Sequence, residues 1–281
     1  MLSSRRLLHL SLSALLLTSC TSLRYAGINR MRNYDICSSD VPENFDGYRI
    51  AFASDFHLKS KFKERQLHGT AKALQHISPD VLLLGGDYQE GCEYIEPLFK
   101  TLTQTTPPDG IYAVLGNNDY ERCTELIRST MKEYGIRLLE QDIDTIRKGG
   151  QHILIWGANP YVGHYPTLPK TLQTANGTNK DDFVILLTHT PDYAEDCNSG
   201  TEDLALAGHT HGGQVTLFGL YAPITASKYG MRYRTGLKHT SKGTPIIISN
   251  GLGTSRRPIR LFAPTDVVIV TLRQKKSVQI D

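Results

Sequence analysis

Five apolar, strand-like runs in this chain each end in an acid, amide or imidazole side chain. Ala51-Phe52-Ala53 leads into Ser54-Asp55-Phe56-His57, and Val81-Leu82-Leu83-Leu84 into Gly85-Gly86-Asp87. Tyr112-Ala113-Val114-Leu115 leads into Gly116-Asn117-Asn118-Asp119. Ile185-Leu186-Leu187-Thr188 reaches His189, and Leu204-Ala205-Leu206-Ala207 reaches Gly208-His209-Thr210-His211. Unbroken apolar runs of this length fit strands buried on both faces. Their polar ends then gather at one edge of a sheet, so the chain is constrained to an α/β fold that brings Asp55, His57, Asp87, Asn117, His189, His209 and His211 together.

Helical patterns alternate with the first strands. Leu67, Ala71, Leu74 and Ile77 fall on one helical face, which predicts a helix over 64–77. Further helices are expected at 93–103 and at 121–134, the latter stopped by Gly135. Strands are expected at 49–54, 80–85 and 110–115. After residue 135 the texture is β-rich, with strands at 136–139, 145–146, 152–156, 183–188, 204–207, 245–249 and 267–272. A βαβα start followed by β-rich sequence implies two sheets packed face to face with helices outside. The stretch 159–180 is rich in Pro, Gly, Thr and Asn. It is too long for an idle connection and is expected to be a lid or substrate loop, with His164 inside it.

The chain has 281 residues, 40% hydrophobic and 21% charged, enough for one large globular domain. Its net charge of +3 comes without a long basic tract, which argues against a nucleic-acid partner. Arg5-Arg6 precede an apolar stretch from Leu7 to Leu17 that ends near Cys20. That run is shorter than the ~20 apolar residues that comfortably cross a bilayer. Residues 1–20 therefore read as a signal, a lipobox-like lipoprotein leader or an anchor lying on the membrane surface. Residues 21–47 read as a tether and 48–281 as the folded domain. Cys37, Cys92, Cys123 and Cys197 show no CxxC pairing and no disulfide framework.

Asp55 and His57 are two apart on one strand end, so both point to one side and can share an ion. Gly85 and Gly86 let the backbone turn tightly before Asp87. His209 and His211 have the same two-residue spacing and can contact two neighbouring ions. Oxygen and imidazole ligands without thiolate favour Mn²⁺, Fe or Zn²⁺ over Ca²⁺.

The blocks Asp-x-His, Gly-Asp, Gly-Asn-x-Asp, a lone His and Gly-His-x-His resemble the calcineurin-like metallophosphoesterase superfamily over residues 49–272. The resemblance implies a four-layer αββα sandwich of two mixed β-sheets holding two divalent metal ions, with Mn²⁺ favoured. It implies that Asp55, His57, Asp87 and His211 hold one ion. Asp87, Asn117, His189 and His209 hold the other, and the nucleophile is a hydroxide between the ions. The segments Gly208-His209-Thr210-His211-Gly212-Gly213-Gln214 and Gly251-Leu252-Gly253-Thr254-Ser255 look like the membrane-linked bacterial branch. That branch includes an alternative UDP-2,3-diacylglucosamine pyrophosphatase of lipid A synthesis.

One position departs from the pattern. The superfamily usually carries His where this chain has Asn118, with Asp119 as its partner. Asn118 can donate a hydrogen bond but cannot protonate a leaving group. A phosphoanhydride needs no such acid, because the departing phosphate monoester has its second ionisation at about pH 6. Asn118 and Asp119 are accordingly expected to assist catalysis rather than to act as a proton donor pair. Among the cations, Lys59, Arg256 and Arg257 are the candidate substrate contacts, with Lys61, Lys63, Arg65 and Arg260 nearby in sequence. The expected substrate is a phosphorylated lipid or nucleotide-lipid at a membrane surface. The expected location is the bacterial inner membrane, on its cytoplasmic face if the lipid A role holds, or outside as an exported lipoprotein. Two alternatives stay open: a general envelope phosphodiesterase or phosphatase, and a metal-binding lipoprotein without turnover.

Overall fold

The computed structural model describes residues 28, 30–59, 61–159, 182–197 and 200–275, with 61–63 in backbone only. The apolar stretch 7–17, Cys20, and the loop 160–180 with His164 lie outside the described residues.

The chain order is β1 (Arg30–Ser38), β2 (Arg49–Ala53), α1 (Lys61–Ile77), β3 (Val81–Leu84), α2 (Ile95–Leu102), β4 (Ile111–Ala113), α3 (Asn117–Glu121) and α4 (Thr124–Glu133). It continues with β5 (Arg137–Leu138), β6 (Asp142–Lys148), β7 (Gln151–Gly157), β8 (Val184–Leu187), α5 (Pro191–Asp196) and β9 (Leu204–Ala207). The last strands are β10 (Gly236–His239), β11 (Pro245–Ile248) and β12 (Asp266–Gln274).

Two six-stranded mixed sheets result, in the orders β1-β12-β2-β3-β4-β5 and β10-β11-β9-β8-β7-β6. In the first, β2 to β5 run parallel and β12 runs against β2. In the second, β11, β9, β8 and β7 are parallel, with antiparallel edges β10 and β6. The period-two alternation of strands decides which residues meet. Phe52, Leu83 and Val114 face inward and pack with Ile185, Leu187 and Leu206 of the other sheet. Ala53, Leu82 and Leu84 face outward onto Leu67, Leu74, Leu98 and Phe99 of α1 and α2. Trp156, Leu186 and Ala205 cover the far side of the second sheet with Tyr193 of α5. Each fully buried large apolar side chain contributes about 1.5–3 kcal/mol. This is the expected α/β sandwich of two mixed sheets.

The tether assigned to 21–47 needs correction. Residues Arg30–Ser38 form β1, which pairs in parallel with β12 from Arg30↔Asp266 to Ser38↔Gln274. Val41, Phe45 and Tyr48 are buried in the inter-sheet core. An edge strand like β1 is held mainly by backbone hydrogen bonds, so its polar side chains hid it. The exposed strand β10 escaped for the same reason. The helix expected at 121–134 is α4 and starts at Thr124, because Cys123 adopts φ 64° and separates it from the short α3. Cys123 is also joined to Cys92 by a disulfide across 31 residues, contrary to the expectation of no pairing. The packing of α2 beside α4 on one sheet face brings the two thiols together, which their spacing does not reveal. Cys37 and Cys197 take part in no disulfide among the described residues.

Candidate metal centre

Every candidate ligand lies just beyond the C-terminal end of a parallel strand. Asp55 and His57 follow β2, Asp87 follows β3 and Asn117 follows β4; His189 follows β8, and His209 with His211 follows β9. The two sheets thus each supply part of one cluster at their common edge. The loops meet there backbone to backbone. A Cβ on Gly208 would run into Ser54 Oγ and Asp55 Oδ2, and one on Gly116 into Asp87 Oδ1.

The backbone is strained where the ligands sit. Asp55 (φ 53°), His57 (42°), Asp87 (55°), His209 (68°) and His211 (52°) all occupy the left-handed region. Non-glycine residues enter that region at a cost, and clusters of them mark sites where surrounding structure enforces a geometry.

Two triads converge: Asp55, His57 and His211, and Asp87, His189 and His209, each with ligand atoms within 4.8 Å of one another. His57 Nε2 lies 3.2 Å from His211 Nε2, and His209 Nδ1 lies 3.1 Å from His189 Nε2. Asp87 Oδ2 stands 3.4 Å from both His57 Nε2 and His189 Nε2, so it faces both triads. Asp55 Oδ1 lies 3.5 Å from His211 Nε2.

These spacings fit shared cations. Metal–ligand bonds of about 2.1 Å at angles of about 90–110° separate ligand atoms by about 3.0–3.4 Å. Neighbouring groups also turn the ligands toward the ions. His57 Nδ1 is 2.7 Å from Glu90 Oε1, and His189 Nδ1 is 2.7 Å from the Gly85 carbonyl. With Nδ1–H donated to those oxygens, the Nε2 lone pairs point into the cluster, as metal-bound histidines require. Asn118 N–H donates to Asp87 Oδ1 at 2.9 Å, which leaves Oδ2 for the ions. Asp55 accepts from Ser54 Oγ–H and from the His209 N–H.

The electrostatics agree. Burial alone would raise the Asp87 carboxyl, but the charge and hydrogen bonds of His189 and His57 hold it well below the carboxylate range. Burial would lower His57, yet hydrogen bonds to Asp87 and Glu90 push it up to about 9. His189 is likewise lowered by burial and raised more by Asp87, reaching about 10. His211 falls to about 3, chiefly through burial. Buried carboxylates beside imidazoles make an oxygen and nitrogen donor set that fits divalent ions.

The remaining predicted residues take up distinct positions. Asn117 opens α3, half-buried, beside the Asp87 contact of Asn118. The Asn118 side-chain amide donates to the Gln89 carbonyl at 2.7 Å. Asp119 is fully buried and accepts the N–H groups of Asp87, Tyr88 and Gly116 at 2.7, 3.0 and 2.8 Å. Burial, and then the Asp87 charge, raise it to about 7. Its visible task is to pin the Asp87 loop to the start of α3. Lys59 Nζ reaches the Thr254 carbonyl at 3.4 Å, so it lies against the glycine loop after β11. That loop is itself clamped to the first ligand, with Gly253 N–H donating to the Asp55 carbonyl at 2.6 Å. Arg256 and Arg257 follow it and are exposed. Arg260 turns inward, donating to the carbonyls of Gly253, Asn250 and His211. Glu90 was not foreseen. Its only signal was its place three residues after Asp87, on the turn that passes behind His57.

The model of the Calcineurin-like phosphoesterase family matches residues 48–213. A metallophosphoesterase of Aquifex aeolicus (strain VF5) is 30% identical over 250 residues, covering 88% of this chain and 92% of that protein. The metallophosphoesterase YkuE of Bacillus subtilis (strain 168) is 29% identical over 245 residues, covering 85% of this chain and 84% of its own. A transmembrane protein with metallophosphoesterase domain from Danio rerio is 28% identical over 253 residues, covering 83% of this chain and 55% of that protein. With the match spanning the loops that carry all seven ligand candidates, the chain belongs to the calcineurin-like phosphoesterase family and is a metal-dependent phosphoester hydrolase.

Proposed function

We propose that the hydrolysed bond is a phosphoanhydride in a lipid-linked nucleotide, with UDP-2,3-diacylglucosamine as substrate and UMP and 2,3-diacylglucosamine 1-phosphate (lipid X) as products. The observation that carries this reading is the Asn118–Asp119 pair. The Asn118 amide is no acid, and the oxygens of Asp119 are occupied by three backbone N–H groups. A leaving group departing past this pair must be stable unprotonated, as a phosphate monoester is.

The chain's own residues divide the remaining work. Asp55, His57, Asp87 and His211 would hold one divalent ion, and Asp87, Asn117, His189 and His209 the other. When bound, such a pair of ions would supply Lewis acidity to phosphoryl oxygens and lower the pKa of bound water. Glu90, Gly85 and Asn118 orient the ligands, while Lys59, Arg256 and Arg257 offer charge to the second phosphate and to anionic headgroups. Mn²⁺ suits the donors. Purified protein with Mn²⁺ and UDP-2,3-diacylglucosamine should release UMP, separable by chromatography; release no greater than in a metal-free control would defeat the assignment.

A second reading is favoured by the Cys92–Cys123 disulfide. Such bonds persist in oxidising compartments, which suits an exported envelope phosphodiesterase or phosphatase better than an enzyme at the cytoplasmic face. Turnover of bis-p-nitrophenyl phosphate without UMP release supports that reading. Cleavage of the mature protein before Cys20, seen by mass spectrometry, separates the two locations.

A further inference from the structure

Among the described residues, the exposed large apolar side chains are concentrated in two short segments. Val215, Leu217, Phe218, Leu220, Tyr221 and Ile224 lie on one, and Ile259, Leu261 and Phe262 on the other. Leu220 is 79% exposed, Ile224 74% and Phe218 71%. The two segments are joined. Val215 bridges to Leu261, the Thr216 N–H donates to the Leu261 carbonyl at 2.9 Å, and the Phe218 and Phe262 rings sit 5.6 Å apart. Phe218 and Phe262 both hold left-handed backbone, φ 53° and 52°, while presenting their rings to solvent. A contiguous exposed apolar surface of this kind marks an interaction site.

Charge says what it meets. From Leu204 to Thr265 the sequence has no Asp or Glu, yet it carries eight Lys or Arg, against a net +3 for the whole chain. Lys228 and Arg232 pair with Asp196 and Glu195, and Arg260 is turned inward. Arg256 and Arg257 stay exposed, separated from Ile259 only by Pro258. Apolar tips rimmed by exposed arginines match an anionic bilayer surface, where the side chains enter the acyl boundary and the cations meet the headgroups.

Topology orients the surface. β12 starts at Asp266, four residues after Phe262, and runs antiparallel to β2, so its start lies beside the strand end that carries Asp55. Arg30, where the described chain enters β1, pairs with that same Asp266. Entry point, apolar tips and metal centre therefore share one edge. Arg234 links them, donating to the Gly212 carbonyl beside His211 at 2.8 Å and to the Gly219 carbonyl at 2.7 Å.

We infer that residues 215–224 and 259–262 form a bilayer-docking rim that seats the metal centre against anionic phospholipid. Docking goes beyond the proposed reaction, and its readout needs no turnover, so either can fail alone.

The full chain has a single tryptophan, Trp156, which is buried. In the Mn²⁺-loaded full chain, the emission added by Phe218→Trp should blue-shift and be quenched by vesicles of brominated phosphatidylethanolamine and phosphatidylglycerol. Leu126→Trp, on α4, should do neither. Phe218→Ser with Phe262→Ser should weaken vesicle partition by at least about tenfold, with the circular dichroism spectrum retained. Co-sedimentation of the Phe218→Trp protein without quenching of its new indole overturns the inference, because another segment then makes the contact. Emission already blue without vesicles overturns it too, in favour of a second copy if it depends on protein concentration, or of the chain's own N-terminal segment if it does not. Partition indifferent to replacing phosphatidylglycerol by phosphatidylcholine removes the arginine rim.

Discussion

Replacing Glu90 by Gln tests whether the cluster is built as a metal centre or only resembles one. In the structure Glu90 Oε1 accepts from His57 Nδ1 at 2.7 Å, and this contact turns His57 Nε2 toward His211 Nε2, 3.2 Å away. Gln keeps the length of the side chain but removes the charge and offers an amide N–H that can face the ring. His57 then loses both a basicity-raising partner and a fixed tautomer. Losing such a partner behind a metal-bound histidine typically weakens the ion about 10–100-fold, or roughly 1.4–2.7 kcal/mol. The effect should be confined to one ion. His189, in the other triad, is oriented by the Gly85 carbonyl, which the substitution leaves in place. Calorimetric titration of the metal-free protein with Mn²⁺ should therefore show two binding events, of which one moves and the other stays. The Mn²⁺ concentration for half-maximal hydrolysis should rise with the weakened event. Affinities at both events within twofold of the wild type would refute the reasoning, because the His57–Glu90 contact would then be irrelevant to the ion.

Three further outcomes are expected. Gly116→Ala places a methyl against Asp87 Oδ1 at a residue whose φ of −96° suits alanine. It should cut hydrolysis sharply while the circular dichroism spectrum stays native, and undiminished activity would show that the Asp87 loop tolerates displacement. In the metal-free protein, His57 and His189 are raised from 6.5 to about 9 and about 10. The stability they contribute is full below pH 6.5 and is lost as pH climbs through those values, so the metal-free Tm should fall between pH 7 and pH 10. Mn²⁺ must displace the same protons, so its affinity should increase with pH over that window, with proton release visible as a buffer-dependent enthalpy. Finally, Cys92→Ser with Cys123→Ser opens a loop of 31 residues. The entropic estimate for such a loop is about 3–4 kcal/mol, readable as a lower urea midpoint under non-reducing conditions; an unchanged midpoint would mean that the bond does not form in solution.

The sequence by itself determined the central architecture and which side chains gather at the shared sheet edge as candidate ligands. Runs such as Val81-Leu82-Leu83-Leu84 are apolar on both faces, so they had to be interior parallel strands, and the polar residues after them had to emerge at one sheet edge. Tertiary structure decided what depended on partners distant in the chain. It made β1 an edge strand through hydrogen bonds to β12, because backbone pairing leaves no mark on side-chain pattern. It paired Cys92 with Cys123 by laying α2 against α4. It turned Arg260 inward while leaving Arg256 and Arg257 in solvent, a choice three neighbouring arginines cannot signal. It also set Glu90 behind His57 and aimed Asp87 Oδ2 at both triads, each of which draws its ligands from the two sheets. Those are distances between loops, and loop positions follow from how the sheets pack rather than from the local preferences of the residues within them.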